Sequence, residues 1–175
     1  MGGQDKAFAD LNGTPLIGHV VRRIAPQVDR LAINAHGQSA RFNAFDVEVI
    51  EDPFTDRPGP LAGVLAAIGW ARLNGDAKVL TVPTDCPFLP ADLFQRLDAM
   101  DGLAVARSVS GLHPVCALWP VGHEAAIREA LIGGTRRMRE VTTALGAWEV
   151  IFEETPDPFF NVNTPADLQA AAERT

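Results

Sequence analysis

The chain is 175 residues long, enough for one domain with a sizeable core. Hydrophobic residues make up 47% and charged residues 21%, the balance of an ordinary globular protein. A net charge of −7, from 22 acids against 15 bases, argues against nucleic acid or an anionic membrane as a partner through bulk charge.

The opening "MGGQDKAF" supplies Gly2 and Gly3, which allow close backbone approach to a phosphate, and Lys6, a point charge to neutralise one. A frayed basic terminus is the plainer account of the same stretch. Neither GxxxxGK[ST] nor GxGxxG occurs, which disfavours P-loop and dinucleotide-binding chemistry. No apolar signal core opens the chain and no run approaches the roughly 18 apolar residues of a membrane span, so a cytoplasmic location is expected.

"GTPLIGHVVRRIAPQV" reads as a helix, with Thr14 as N-cap, Pro15 at the first position, and Leu16, Val20 and Ile24 on one apolar stripe. "RLAINA" reads as a strand ending at Asn34, and "DVEVIED" as another ending at Asp52. "GPLAGVLAAIGWARL" is a helix opened by Pro60. Its first amides, between Gly59 and Gly63, would attract an anion or a base edge, unless they serve only close packing on a sheet.

"AKVLTVPTDCPF" is a strand from Lys78 to Val82 running into a turn where Pro83 and Pro87 stiffen the chain around Asp85. A carboxylate there suits Mg²⁺, which takes one or two protein acids and completes its shell with phosphates and water. It equally suits capping of the next turn.

Further on, a helix falls near "PADLFQRLDAM" and strands at "LAVARS" and "PVCALW", with "GLHPVCALW" a source of antiparallel pairing. Helices follow at "HEAAIREALI" and "RMREVTTAL", then a strand "WEVIF". A closing helix is capped by Thr164, Pro165 and Asp167 in a capping box. Asn161 and Asn163 in "FFNVNTPADL" share a face if that stretch is extended, as donors to a polar ligand or as turn residues. Arg136, Arg137 and Arg139 would spread round a helix as a solvated face. Cys86 and Cys116 form no CxxC pair and read as reduced, partly buried thiols, and the four histidines show no zinc spacing.

Strands alternating with helices over residues 1–175 indicate one α/β domain, a mostly parallel sheet with helices on both faces. Ligands of such sheets sit at the carboxyl ends of the strands. Asn34, Asp52 and Asp85 therefore fall on one rim.

"MGGQDKAFADLNGTPLIGHV", "INAHGQ", "VIEDPFTDRPGPLAG", "VPTDCPFLP", "HPVCAL" and "NVNTPADL" together resemble the molybdenum-cofactor guanylyltransferases, in order and spacing across essentially the whole chain. The resemblance implies a Rossmann-like three-layer nucleotidyltransferase fold. It implies Mg²⁺-dependent transfer of GMP from GTP to the terminal phosphate of molybdenum-molybdopterin, with release of pyrophosphate. Lys6 and Asp85 would be catalytic, with Asp85 also the Mg²⁺ ligand. GTP would lie on Gly2, Gly3, Lys6, Asn34, Asp52, Gly59, Pro60, Leu61 and Asp85, with the 59–63 loop lining the guanine pocket. Asn161 and Asn163 would face the pterin. A molybdoenzyme or its chaperone would be the further partner, and a monomer is expected.

The family's opening signature, L-A-G-G-x-S-x-R-M-G-G-x-D-K, is matched here only from its Met onward. The expectation is accordingly of an N-terminally incomplete domain, its first strand missing, that folds poorly and turns over GTP weakly or not at all. Other readings are a cytidylyltransferase for the same cofactor, a sugar-phosphate nucleotidyltransferase, or a non-catalytic module that carries the cofactor.

Overall fold

A computed structural model describes residues 6–35, 37, 39–51 and 59–174. Gly2, Gly3 and Asp52 lie outside the described residues.

Asn12 and Gly13, both at positive φ (52° and 80°), turn a two-residue hairpin between β1 (Asp10–Leu11) and β2 (Thr14–Pro15). Asn-Gly is the pair that tolerates this turn, whose twist matches that of the flanking strands. The hairpin corrects one expectation. Thr14 pairs with Leu11 in the ladder and caps nothing, so α1 (Leu16–Ile24) begins one residue later than the Thr-Pro signal suggested. Its stripe is as read: Leu16, Val20 and Ile24 are all buried.

Two small blocks of sheet follow. β3 (Ala32–Asn34) and β4 (Glu48–Ile50) form a parallel pair. The larger sheet has the order β5-β7-β6-β8, comprising β5 (Lys78–Thr81), β6 (Ala104–Ser108), β7 (Gly111–Pro120) and β8 (Trp148–Ile151). β6 and β8 are parallel, while β7 runs antiparallel to both β5 and β6. The class is the expected α/β. As expected, most strands of the larger sheet run one way: β5, β6 and β8 share a direction and β7 opposes them, because β6 and β7 are joined by a tight turn, which can link only antiparallel neighbours.

Side chains alternate across the large sheet with period two and divide the core in two. Ala104, Ala106, Cys116 and Leu118 face α1 and α3 (Leu93–Asp98). Val105, Ala117 and Trp119 face α2 (Pro60–Leu73), α4 (Glu124–Ile132) and α5 (Met138–Ala144). The result is three layers, helices on both faces of sheet. α2 also reaches the smaller block, since Trp70 Nε1 donates to Glu48 Oε2 at 2.7 Å.

α6 (Pro165–Ala172) carries the full capping box, with Thr164 Oγ1 accepting from the Asp167 amide and Asp167 accepting from the Thr164 amide. It docks through Ala171 and Leu168 against Leu11, Leu16 and Val162, bringing the end of the chain beside its beginning. Arg136, Arg137 and Arg139 are all exposed, and Arg136 has a structural task as well. It donates to the Leu131 carbonyl at 2.8 Å and so satisfies the end of α4.

Candidate active site

The turn after β5 is built to hold Asp85. Cys86 and Pro87 are buried behind it, and the Asp85 carbonyl accepts from the Val162 amide at 2.9 Å. That bond draws the segment 161–163 alongside. Val162 is fully buried between exposed Asn161 and Asn163, so the two asparagines share an outward face, as their spacing suggested.

Asn161 hydrogen-bonds the Asp85 side chain. Asn163 Oδ1 accepts from Lys6 Nζ at 2.9 Å, and Lys6 also acts on Asp85 through its charge. Four candidate residues from the start, middle and end of the sequence therefore meet. The asparagines hold the lysine and the acid.

Burial is the largest influence on Asp85 and raises its pKa above the ordinary 3.8. The Asp85 amide, Lys6 and Asn161 oppose that rise without cancelling it. The fold thus leaves a half-buried carboxylate short of positive charge. An oxygen donor in that condition fits a hard divalent cation, which would relieve the cost of keeping it ionised.

Asn34 ends β3 on the same cavity that Asp85, Asn161, Gly59 and Pro60 line. Its Nδ2 lies 3.4 Å from the Ile50 carbonyl, which holds the side chain at the strand end. Gly59 precedes α2 at φ 93°, a conformation that strains any residue with a Cβ, and Pro60 occupies the first helical position. Leu61 is placed differently from the other pocket candidates. Its side chain is fully buried among Val64, Leu65 and Ile68, leaving only backbone to face a ligand.

The thiols offer no nucleophile. Both are buried, more deeply than expected from sequence, and burial, with Asp85 and Asp157 nearby, pushes Cys86 up to about 12.

A second polar cluster escaped the sequence reading. Ser108 Oγ lies 2.8 Å from His113 Nε2 and donates to Asp157 Oδ2 at 3.0 Å. His113 stacks on Phe159 with ring centroids 4.5 Å apart. This is no Ser-His-Asp triad: the carboxylate bonds the serine rather than orienting the imidazole. Its members sit at the β6–β7 turn and after Pro156, and no motif joins them in sequence.

The description "MobA-like NTP transferase domain" fits residues 1–148. A protein named molybdenum cofactor guanylyltransferase from Rhodopseudomonas palustris (strain BisB5) is 45% identical over 186 residues, covering 99% of this chain and 87% of its own length. One of the same name from Bradyrhizobium sp. (strain ORS 278) is 41% identical, covering 99% and 86%. The crystal structure of molybdopterin-guanine dinucleotide biosynthesis protein A from Archaeoglobus fulgidus superposes with a TM-score of 0.74 at 21% identity, covering 98% of this chain and 91% of that one.

Proposed function

We propose that this chain, which belongs to the MobA-like NTP transferase domain family, transfers GMP from GTP to the terminal phosphate of molybdenum-molybdopterin. The observation that carries the reading is the meeting of Lys6, Asp85, Asn161 and Asn163 at the end of β5, in a chain 45% identical to a named guanylyltransferase.

In this reading a terminal phosphate oxygen of the acceptor attacks the α-phosphorus of GTP. A new P–O bond forms, the bond to the bridging oxygen breaks, and its electron pair leaves with pyrophosphate. Such a transfer needs alignment and charge neutralisation more than covalent help from a side chain. Lys6, steadied by Asn163, presents its ammonium to the phosphates. Asp85 would hold Mg²⁺, which when bound neutralises phosphate charge. Asn161 keeps the Asp85 carboxylate aimed. Asn34 and the backbone of Gly59, Pro60 and Leu61 border the nucleotide. Asn161 and Asn163 face the acceptor on their other side. Asp52, Gly2 and Gly3 would complete the nucleotide contacts. Among the described residues no helix is long and apolar enough to cross a membrane. We place the reaction in the cytoplasm, with a monomer passing its product to a molybdoenzyme or its chaperone.

The test is transfer of label from α-³²P-GTP to molybdenum-molybdopterin with Mg²⁺, with CTP, ATP and UTP as competitors. Labelled guanine dinucleotide and released pyrophosphate are expected. Transfer from CTP alone would change the base. Retention of the acceptor with no transfer from any nucleotide would make the chain a carrier.

A further inference from the structure

β7 leaves its ladder where it reaches the candidate site. Ala117 pairs with Val105 of β6, but the next β6 residue, Ala106, pairs with His113, so Pro114, Val115 and Cys116 stand outside the β6–β7 ladder as a bulge. Pro114 has no amide to lose there. Thr81 Oγ1 of β5 donates to the Val115 carbonyl at 2.8 Å and accepts from Trp119 Nε1 at 3.0 Å, which ties the bulge to β5. Bulges re-aim side chains, and the side chain delivered here is His113.

His113 stands close to Asp85. Thr81 pairs with Ala117 across antiparallel strands, and Asp85 and His113 each lie four positions past that pair in the same direction. The segment 157–163 runs past both. Phe159 stacks on His113, Asn161 bonds Asp85 and Asn163 bonds Lys6, so the segment meets the three in that order. Two residues of chain span at most about 7 Å, which limits the distance from Phe159 to Asn161. His113 does not line the cavity shared by Asn34, Gly59 and Asp85, and is thereby set apart from the nucleotide side.

The bonds of His113 fix its tautomer. Ser108 Oγ donates to Asp157 Oδ2 at 3.0 Å, and Ser110 also bonds this carboxylate, whose pKa lies below the ordinary 3.8, so that it is an acceptor only. Each hydroxyl has one proton and gives it to Asp157. His113 Nε2, 2.8 Å from Ser108 Oγ and 3.4 Å from Ser110 Oγ, must therefore bring a proton of its own. Burial draws the imidazole below its ordinary 6.5, with Asp157 opposing and Arg107 assisting, so the ring is neutral and Nδ1 is a bare acceptor. Among the described residues Nδ1 has no partner, and it is not sealed from solvent.

A bare nitrogen repels phosphate and accepts from an N–H. In the proposed reaction, on whose reading this inference rests, the acceptor brings both groups: a phosphate, which belongs with Lys6, and a reduced pterin edged with N–H. We propose that His113 is a specificity-determining residue for the acceptor, its Nδ1 accepting a hydrogen bond from a pterin N–H, with Ser108 and Asp157 as positioning residues that hold the tautomer. No covalent bond is made or broken at His113.

The test is long-range ¹⁵N–¹H correlation of the imidazoles in the full chain, with His113→Phe, which keeps a ring on Phe159, to assign the His113 signals. We expect the Nε2–H tautomer in the free protein. Saturating molybdenum-molybdopterin should move Nδ1 in the direction of an accepted hydrogen bond and leave Nε2 protonated, while GTP moves neither. Ser108→Ala should populate the Nδ1–H tautomer, and an unchanged tautomer there overturns the positioning role. In the transfer assay His113→Phe should raise KM for the acceptor about 10-fold or more, with the calorimetric affinity for GTP unchanged. A histidine that served only the fold would change both or neither. The Nδ1–H tautomer in the parent, a bound acceptor that leaves Nδ1 unmoved, or an Nδ1 that answers to GTP overturns the proposal. So does protonation of both nitrogens on binding, which marks contact with an anion. If His113→Phe does not fold, the spectra of the parent, assigned through the backbone, still decide. An acceptor that shifts no signal anywhere would sink the proposed reaction as well, whereas normal transfer by a folded His113→Phe sinks this inference alone.

Discussion

Asp85 and Asp157 both act on the same buried thiol, Cys86, yet their surroundings are opposite in kind. For both, burial is the largest influence and pushes the pKa up. Around Asp157, bonds from Ser110, the Phe159 amide and Ser108, with the charge of His113, outweigh burial and bring it below the ordinary value. Around Asp85 the donors fall short, and its pKa stays raised. A carboxylate with its partners complete serves the fold. One left short on a cavity wall, with a lysine beside it, suits the ligand-binding role we propose for Asp85.

The sharpest way to break this contrast is to remove both charges in turn. Asp85→Asn should lower guanylyl transfer about 100-fold or more, a loss typical of removing a group that manages transition-state charge. It should leave folding intact, as circular dichroism would show. Full activity in that variant would end the assignment of Asp85.

Lys6→Met probes the same side of the contrast at lower cost. Losing one charge-assisted contact to phosphate should weaken GTP binding by about 10- to 100-fold, read by calorimetry. Asn163→Ala frees the ammonium without removing it, so a smaller loss in the same measurement is expected.

Asp157→Ala tests the other side. It deprives Ser108 and the Phe159 amide of their acceptor, which should cost about 1–3 kcal/mol of stability in urea unfolding. Transfer under native conditions should change only a few-fold. A loss of activity matching that of Asp85→Asn, with stability unchanged, would erase the distinction.

The sequence made one of these acids visible and hid the other. Asp85 ends an apolar strand between two prolines, a local pattern, and the rule that α/β sheets bind at strand ends did the rest. Asn161 and Asn163 were legible as a pair because alternation is a property of neighbours. Their contacts with Asp85 and Lys6 were not, since those join residues up to 157 positions apart. Asp157 follows a proline in a loop with no periodic signal, and its partners lie on a hairpin 49 positions earlier. The burial of the Leu61 side chain was hidden for a different reason. The Pro60 helix start was read correctly, but the direction of the next side chain is set by the packing of α2 against α4 and α5. The hairpin at Asn12-Gly13 was in plain view as a turn pair, and the stronger Thr-Pro helix signal beside it drew the reading.

The smallest effect, and the one that compares the two acids directly, is the pH dependence of stability. Asp85 has a raised folded pKa, so between the ordinary 3.8 and that higher value the native state holds the extra proton. Stability from this group therefore falls as pH rises through that window, and the cost of the buried charge persists above it. Asp157 is lowered, so its contribution is present above 3.8 and is lost as pH falls through its folded value. Replacing each acid by asparagine removes its titration. Relative to the parent chain, Asp85→Asn should gain thermal stability at neutral pH, by a few degrees, and lose that gain in acid. Asp157→Asn should lose stability at neutral pH and recover toward the parent in acid. Thermal unfolding of the ligand-free proteins across this range reads both signs, and two variants shifting in the same direction would show that the fold does not distinguish the acids.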